Sequence, residues 1–376
     1  KRLNMTLYLD YNASAPIIRD VIDIMHKSID ITGNPSSIHS SGRKARKAIE
    51  DSRELIAETI EVNPKNIIFT SGATEANTLA LSCSREMNTF ISSIEHDSVL
   101  KQNINANIIS VTSEGIVNLE LLEKMIMESS EERIFVSIMA VNNETGVIQP
   151  IQKVSEICIR HKAILHVDAV QAIGRIDISM KKLNIDLLTI SSHKIGGPKG
   201  IGCLAVSDRA YSILSPIIMG GSQERGFRGG TEAVNQIIGF GTAAKYAQKL
   251  ALVETCTSRD LLEDKVISMI PNTIIVGKNA PRVANTTLIA FKKISAESLV
   301  IALDIEGYEV SSGSACSSGK VSASHVLKAM GLEENIVNGA IRISLCRCLN
   351  KSEILSFCTI LKKVINKLYR KKKIMS

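Results

Sequence analysis

Residues 164–206 read ILHVDAVQAIGRIDISMKKLNIDLLTISSHKIGGPKGIGCLAV. Three short β-type runs stand out: Ile164-Leu165-His166-Val167, Leu187-Leu188-Thr189-Ile190 and Gly202-Cys203-Leu204-Ala205-Val206. All three are nearly continuously apolar, the pattern of strands covered on both faces, as in parallel sheets flanked by helices. Working outward, Asn66-Ile67-Ile68-Phe69 and Ile134-Phe135-Val136-Ser137-Ile138 continue the series, alternating with helical stretches. Over 43–60, Ala48, Ile49, Leu55, Ile56, Thr59 and Ile60 recur at helical spacing among charged residues, which predicts a surface helix with one buried face. The expected class is α/β, with a mostly parallel central sheet wrapped by helices. Beyond about residue 250 the pattern changes to a helix, then strands near Ile274, over 287–291 and over 340–344. A closing helix follows, with Ile354, Phe357, Leu361, Val364, Ile365 and Leu368 on one face and Asn350-Lys351-Ser352-Glu353 as its capping arrangement. This second part reads as a smaller α+β domain.

Length and composition agree with a two-part enzyme-sized chain. At 376 residues it exceeds the roughly 250–300 residues beyond which single cores stop growing. Its 44% hydrophobic and 22% charged residues, 23 Gly and 8 Pro are ordinary for globular proteins and exclude disordered and collagen-like classes. The formal charge of +7 lies partly in the run Arg370, Lys371, Lys372, Lys373, which reads as a solvated tail. With aromatics at only 3%, no basic patch is interleaved with stacking residues, so direct nucleic-acid binding is not expected. Eight scattered cysteines without a Cys-x-x-Cys pair suit a reducing cytoplasm and predict no metal site. No signal peptide or membrane span is expected, and Lys1 to Met5 reads as a leader of no structural weight.

Five segments carry candidate chemistry. Thr70-Ser71-Gly72-Ala73-Thr74-Glu75 follows a strand and opens a helix, placing backbone N–H groups and hydroxyls where a phosphate binds or where a plain N-cap turn forms. Asp168 ends a parallel strand, where α/β sheets bind ligands. It can pair with a protonated ring nitrogen, or cap a helix over 169–173 with Gln171 completing a capping box. Lys194, in Ser191-Ser192-His193-Lys194-Ile195-Gly196-Gly197-Pro198-Lys199-Gly200, is expected at a sheet edge beside a Gly-rich loop. Desolvation would lower its pKa and make it nucleophilic toward an aldehyde, although a lone loop lysine is more often merely exposed; the company of Thr74 and Asp168 favours the first. Cys316 sits in Ser311-Ser312-Gly313-Ser314-Ala315-Cys316-Ser317-Ser318-Gly319, whose small polar residues suit neither strand nor helix core, so its thiol is expected to be exposed. Only about 3% of an unperturbed thiol is ionised at pH 7, so a site must assist it. Arg342 alternates with Ile341, Ile343 and Leu345 and projects from the opposite strand face, suited to a substrate carboxylate or to an edge salt bridge.

Together these segments resemble the cysteine desulfurases, class V members of the fold-type I pyridoxal-phosphate (PLP) enzymes, over nearly the whole chain. The matching motifs occur in order: Tyr8-Leu9-Asp10-Tyr11-Asn12-Ala13, Gly33-Asn34-Pro35-Ser36-Ser37, Ser71 to Glu75, Glu95-His96, Val141-Asn142-Asn143-Glu144-Thr145-Gly146, His166-Val167-Asp168, His193-Lys194 and Ser312-Gly313-Ser314-Ala315-Cys316. The resemblance implies a large PLP-binding domain over 16–250 and a small domain formed by 1–15 and 251–376 that carries the catalytic Cys loop. It implies PLP held covalently by Lys194, its ring nitrogen paired with Asp168, its ring hydroxyl bonded by Gln171, and His96 stacked on the ring and moving protons. Ala73, Thr74, Ser191 and His193 would surround the phosphate, with Thr231 of Arg228-Gly229-Gly230-Thr231 reaching in from the second subunit of a homodimer. Asn143 and Arg342 would orient L-cysteine, whose sulfur passes to Cys316 as a persulfide and then to an acceptor protein serving iron–sulfur cluster assembly or tRNA thiolation. The Ser/Gly-rich thiol segment resembles the long-loop branch rather than the selenocysteine-lyase-like one.

The sequence departs from the family at Leu345-Cys346-Arg347-Cys348-Leu349, whose two thiols are expected to be core or surface residues, and at Ser192, where Gly is commoner. His166, His26, His39, His161 and His325 are weaker candidates. Alternatives are another class V enzyme (an aminotransferase or selenocysteine lyase), a non-catalytic cluster-assembly scaffold, or, more distantly, a hydrolase built on Cys316 and His325.

Overall fold

The computed structural model describes residues 6–102, 104–247, 253–313 and 323–375. β1 is Leu7–Tyr8. Seven strands then build the main sheet: β2 (Ile67–Thr70), β3 (Asn88–Ser92), β4 (Asn107–Ile109), β5 (Ile134–Ser137), β6 (Ile164–Asp168), β7 (Leu187–Ser191) and β8 (Gly202–Val206), in the order β2-β8-β7-β6-β5-β3-β4. All run parallel except β8, which pairs antiparallel with both β2 and β7.

Strand periodicity explains the layers. Ile67, Phe69, Phe90, Val136, Leu165, Val167, Leu188, Ile190, Cys203 and Ala205 join one apolar cluster with Ile49 and Ile56 of the Ser40–Thr59 helix and Phe240 of the Val234–Ala247 helix. Their strand neighbours Ile68, Ile91, Phe135, Ile164, Leu187, Leu204 and Val206 join a second cluster, with Leu79 and Ala80 of the Ala73–Leu81 helix. Successive side chains point to opposite faces, so runs that are apolar at every position make a sheet buried on both sides.

A second sheet is antiparallel. It contains β9 (Thr273–Ile275), β10 (Thr286–Phe291), β12 (Ser311–Ser312) and β13 (Ala340–Ser344) in the order β12-β13-β10-β9, while β11 (Tyr308–Glu309) pairs with β1. One face, with Ile289, Phe291, Ile341 and Ile343, packs on Leu299, on Phe357 and Leu361 of the Lys351–Met375 helix, and on Leu9 from the other end of the chain. The opposite face, with Leu288, Ala290 and Ala340, packs on Ile94 and Met139 beyond the ends of β3 and β5. The terminal helix is capped as expected: Asn350 Oδ1 accepts from Glu353 N at 2.9 Å and Glu353 Oε2 accepts from Asn350 N at 2.9 Å. No helix among the described residues is long and apolar enough to cross a membrane.

Three local expectations change. Residues 169–175 form turns, not a helix, because Asp168 Oδ1 accepts from Val170 N at 3.0 Å and Gly174 takes φ +76°. Lys194 lies at the end of β7, an interior strand, and not at a sheet edge. β3, β4, β11 and β12 had no legible pattern, being short or mixing polar with apolar residues, as in Asn88-Thr89-Phe90-Ile91-Ser92.

One buried ion pair fixes the segment leading to Arg228 and Thr231. Glu224 accepts from both Arg53 terminal nitrogens at 2.8 Å and from Phe69 N at 2.8 Å, tying residues 223–226 to β2. Glu224 and Arg225 both occupy the left-handed region, at φ 44° and 58°, a conformation this anchoring must hold. Glu224→Ala leaves the buried Arg53 guanidinium with only the half-exposed Glu50 as a carboxylate partner and is expected to lower stability by about 3 kcal/mol in urea denaturation. A loss under 1 kcal/mol would show that Arg53 finds water instead.

Candidate active site

The carboxyl ends of β2, β3, β5, β6 and β7 open onto a cavity of about 570 Å³. It is lined by Ala73, Thr74, His96, Asn143, Asp168, Gln171, Ser191, His193, Lys194 and Arg342, ten of the residues singled out from the sequence. Thr231 is exposed and does not line it, and Cys316 lies outside the described residues.

The floor is built by Asp168, which is 5% exposed. Its Oδ2 accepts from Asn77 Nδ2 at 2.9 Å, and the same amide group donates to Ser98 Oγ at 2.8 Å. Ser98 Oγ lies 2.8 Å from His96 Nδ1, which also accepts from Ser98 N at 3.1 Å. A backbone donor aimed at Nδ1 assigns the ring proton to Nε2. Burial lowers the His96 pKa, against the raising effect of Asp168, so the imidazole is neutral at neutral pH. Asn77 thus couples the Asp168 carboxylate to the imidazole through Ser98. Its one sequence signal is its place three residues after Thr74 on the same helix, which puts both on the face toward the cavity.

At the other end, Ala73 begins a helix whose N-cap, Gly72, makes no side-chain cap bond, so its first N–H groups have no intrahelical partner. The turn approaches β8 closely enough that a Cβ at Gly202 would lie 2.8 Å from Gly72 C. Glycine at 202 is what lets the helix terminus sit over the strand ends. His193 flanks this end, its pKa lowered to about 4 by burial and by Lys194 and Lys199, so it is present as the neutral ring.

Lys194 Nζ donates to Asn12 O at 2.6 Å and Ala13 O at 2.9 Å. Asn12 O also accepts from Gln171 Nε2 at 3.0 Å, while Gln171 Oε1 accepts from Arg175. The Tyr11-Asn12-Ala13 stretch, legible as a motif but given no role from sequence, is therefore the rest that holds the lysine and the glutamine. Ser192 is accommodated because Gly197 has no Cβ, which would lie 2.1 Å from Ser192 Oγ.

Arg342 does project from the face opposite Ile341 and Ile343, and that face is also packed: the side chain is almost fully buried. It donates to Asn143 O at 3.0 Å and to Asp10 Oδ1 at 2.7 Å. The salt bridge exists, but on an interior strand and with the guanidinium still lining the cavity. Among the weaker histidines, His166 is enclosed between Ser137 and Thr189, His39 caps the Ser40–Thr59 helix, His161 meets Glu123, and His325 Nε2 donates to Glu95 O at 2.9 Å. Cys346 is exposed and Cys348 partly so.

The class V aminotransferase family matches residues 7–357. The chain belongs to this family. Within it, the sequence is 40% identical to cysteine desulfurase IscS 1 of Archaeoglobus fulgidus, covering 96% of this chain and 97% of the relative. It is 38% identical to the cysteine desulfurase of a Nostoc species, over 96% and 93%. The NifS-like protein of Rickettsia africae superposes with a TM-score of 0.89 at 36% identity, over 96% of this chain and 99% of that one. The fold-type I architecture and the PLP-dependent cysteine desulfurase function expected from the motifs both stand, and the aminotransferase and scaffold alternatives are not favoured.

Proposed function

We propose that this class V enzyme takes sulfur from L-cysteine onto Cys316 as a persulfide, releasing L-alanine, and passes the sulfur to an acceptor protein. The observation that carries the reading is the convergence on one cavity of a lysine, a buried carboxylate, a neutral imidazole and an open helix N-terminus, from segments far apart in sequence. This donor set fits PLP: Asp168 for the ring nitrogen, Lys194 for the aldehyde, and Ala73, Thr74, Ser191 and His193 for the phosphate, with Thr231 supplied by a second copy. When bound, the cofactor supplies the electron sink that makes the substrate's Cα–H and Cβ–S bonds breakable.

The chain's own residues do the rest. Asp168, held by Asn77 and Val170 N, keeps acceptor capacity facing a protonated ring nitrogen. Lys194, whose amine rests on Asn12 O and Ala13 O, would hold the cofactor's aldehyde, and the same amine when free would take the substrate's α-proton. His96 keeps its transferable proton on Nε2. Arg342 and Asn143 orient the substrate carboxylate. The Cys316 thiolate attacks the substrate sulfur, forming S–S as Cβ–S breaks, with the bonding pair returning to carbon. L-cysteine and the Cys316 thiol give L-alanine and the persulfide, with no outside oxidant or reductant.

The same reading divides the chain into 16–250 and 1–15 with 251–376, supported by the packing of Leu9 among residues 262–365. It also takes the chain to be cytoplasmic and to form a homodimer, the latter supported by Thr231 being exposed away from its own cavity.

The test is the intact mass of PLP-loaded protein after L-cysteine without reductant. One added sulfur is expected; none would overturn the reading. Asn77→Ala, which removes donors from Asp168 and Ser98, is expected to weaken PLP binding about tenfold, the equivalent of 1.4 kcal/mol. Absorbance titration of the apoprotein measures it, and an unchanged affinity would show that Asp168 needs no such support.

A further inference from the structure

Glu144 lies on the backbone turn after Asn143, is 3% exposed, and does not line the cavity. Its Oε2 accepts from Ser324 Oγ at 2.6 Å. A Cβ on Gly313 would lie 3.2 Å from the same oxygen. Ser324 Oγ in turn accepts from Leu327 N at 3.1 Å, capping the His325–Ala329 helix, so its single hydrogen is committed to Glu144. Gly313 is held from the other side, its N donating to Ala340 O at 3.2 Å. Gly313 and Ser324 are separated in sequence by the stretch that contains Cys316.

We propose that Glu144 is a positioning residue for sulfur transfer: its buried carboxyl group binds Ser324 and lies against Gly313, and so helps set where the chain leaves the fold before Cys316 and rejoins it after. The inference rests on the reading of Cys316 given above and adds a group that anchors the chain beside that stretch.

Two features tie this clamp to the substrate. The residue before Glu144 is Asn143, whose carbonyl accepts from Arg342 at 3.0 Å and from Asn12 Nδ2 at 3.3 Å, so the turn bearing the clamp is fixed by the residues that orient the substrate. Glu144 N and Thr145 N both donate to Asn142 Oδ1, at 3.0 and 2.9 Å, which makes that turn rigid. Burial raises the Glu144 pKa to about 7, opposed by the Ser324 hydrogen bond and the Arg342 charge and assisted by Asp97. Among the described groups, Ser324, Arg342 and Asp97 are those acting on it. The ionised form accepts more strongly from Ser324, so the clamp tightens as pH rises through this range.

Transfer is therefore separable from substrate binding. PLP-loaded wild type, Glu144→Gln and Ser324→Ala are mixed with one equivalent of L-cysteine; cofactor absorbance reports binding, and quenched mass spectrometry reports persulfide at Cys316. Both variants are expected to keep the absorbance change within about twofold and to form persulfide about tenfold more slowly, since misplacement by about 1 Å can cost up to 10²-fold. Glu144→Gln keeps the volume and loses the charge, so it is also expected to lose the rise in transfer rate through pH 7 expected of wild type beyond the thiol's own ionisation. Transfer at the wild-type rate and with the wild-type pH profile would overturn the proposal, as would equal slowing of binding and transfer, which marks general damage. Should Glu144→Gln fail to fold, Ser324→Ala, which deletes only the hydroxyl, decides on the same rates. A wild type that forms no persulfide at Cys316 would instead overturn the functional reading on which this one stands.

Discussion

Cys316→Ser is expected to abolish persulfide formation, to less than about one part in 10³ of wild type, while PLP binding and its absorbance change with L-cysteine persist. The hydroxyl is isosteric with the thiol but is not ionised in the neutral range, and an attack on substrate sulfur needs an anion that is also a good sulfur nucleophile. Four of the other described cysteines offer no substitute: Cys83, Cys158, Cys203 and Cys358 are buried, and burial pushes the thiols of Cys83 and Cys158 up to about 12 and that of Cys358 to about 11. Cys346 and Cys348 are the accessible pair among the described cysteines, which makes a Cys346→Ser, Cys348→Ser double variant the proper control. It is expected to turn over like wild type. Persulfide found in Cys316→Ser at the wild-type rate would remove Cys316 from the mechanism.

Lys194→Ala is expected to lower turnover by about 10³-fold or more, since on the proposed mechanism it deletes both the covalent tether and the amine that takes the α-proton; general acid–base groups alone contribute about 10²–10⁴-fold. Reversible binding of PLP is expected to survive, because Asp168, the helix N-terminus at Ala73 and His193 remain. The diagnostic measurement is therefore a pair: borohydride reduction fixes cofactor to wild type and not to Lys194→Ala, while equilibrium titration finds the cofactor still bound. Covalent fixation at full stoichiometry in Lys194→Ala would assign the tether to another lysine. Lys199 is the lysine to examine then, as it also lines the cavity.

Both residues were legible in the sequence, Cys316 from its small polar neighbours and Lys194 for a geometric reason. In a sheet whose strands run parallel, each strand delivers the residue after its last apolar position to the same end. Asp168, the Ser191 to Lys194 run and the Thr70 to Thr74 turn thus announce a shared site by each following an apolar run. His96 was legible only through its motif, because β3, which delivers it, mixes polar with apolar residues and leaves no strand signature. The supports were illegible for a different reason. Asn77 donates to Asp168 across 91 residues of chain, Lys194 rests on carbonyls 182 and 181 residues away, and Arg342 meets Asp10 across 332. No spacing rule connects such positions, and a backbone carbonyl has no residue identity to read.

Periodicity in the chain thus determined by itself an α/β protein with a covered parallel sheet, an α+β second part and a capped terminal helix, because alternation and helical spacing are local properties. It also determined which residue types occur at strand ends. Tertiary structure alone decided that β8 runs against its neighbours, that residues 169–175 turn instead of coiling, that Arg342 is already paired, and that Glu144 lies between Gly313 and Ser324. Those are matters of what lies across from what, settled by packing between segments whose order in the chain carries no record of their contact.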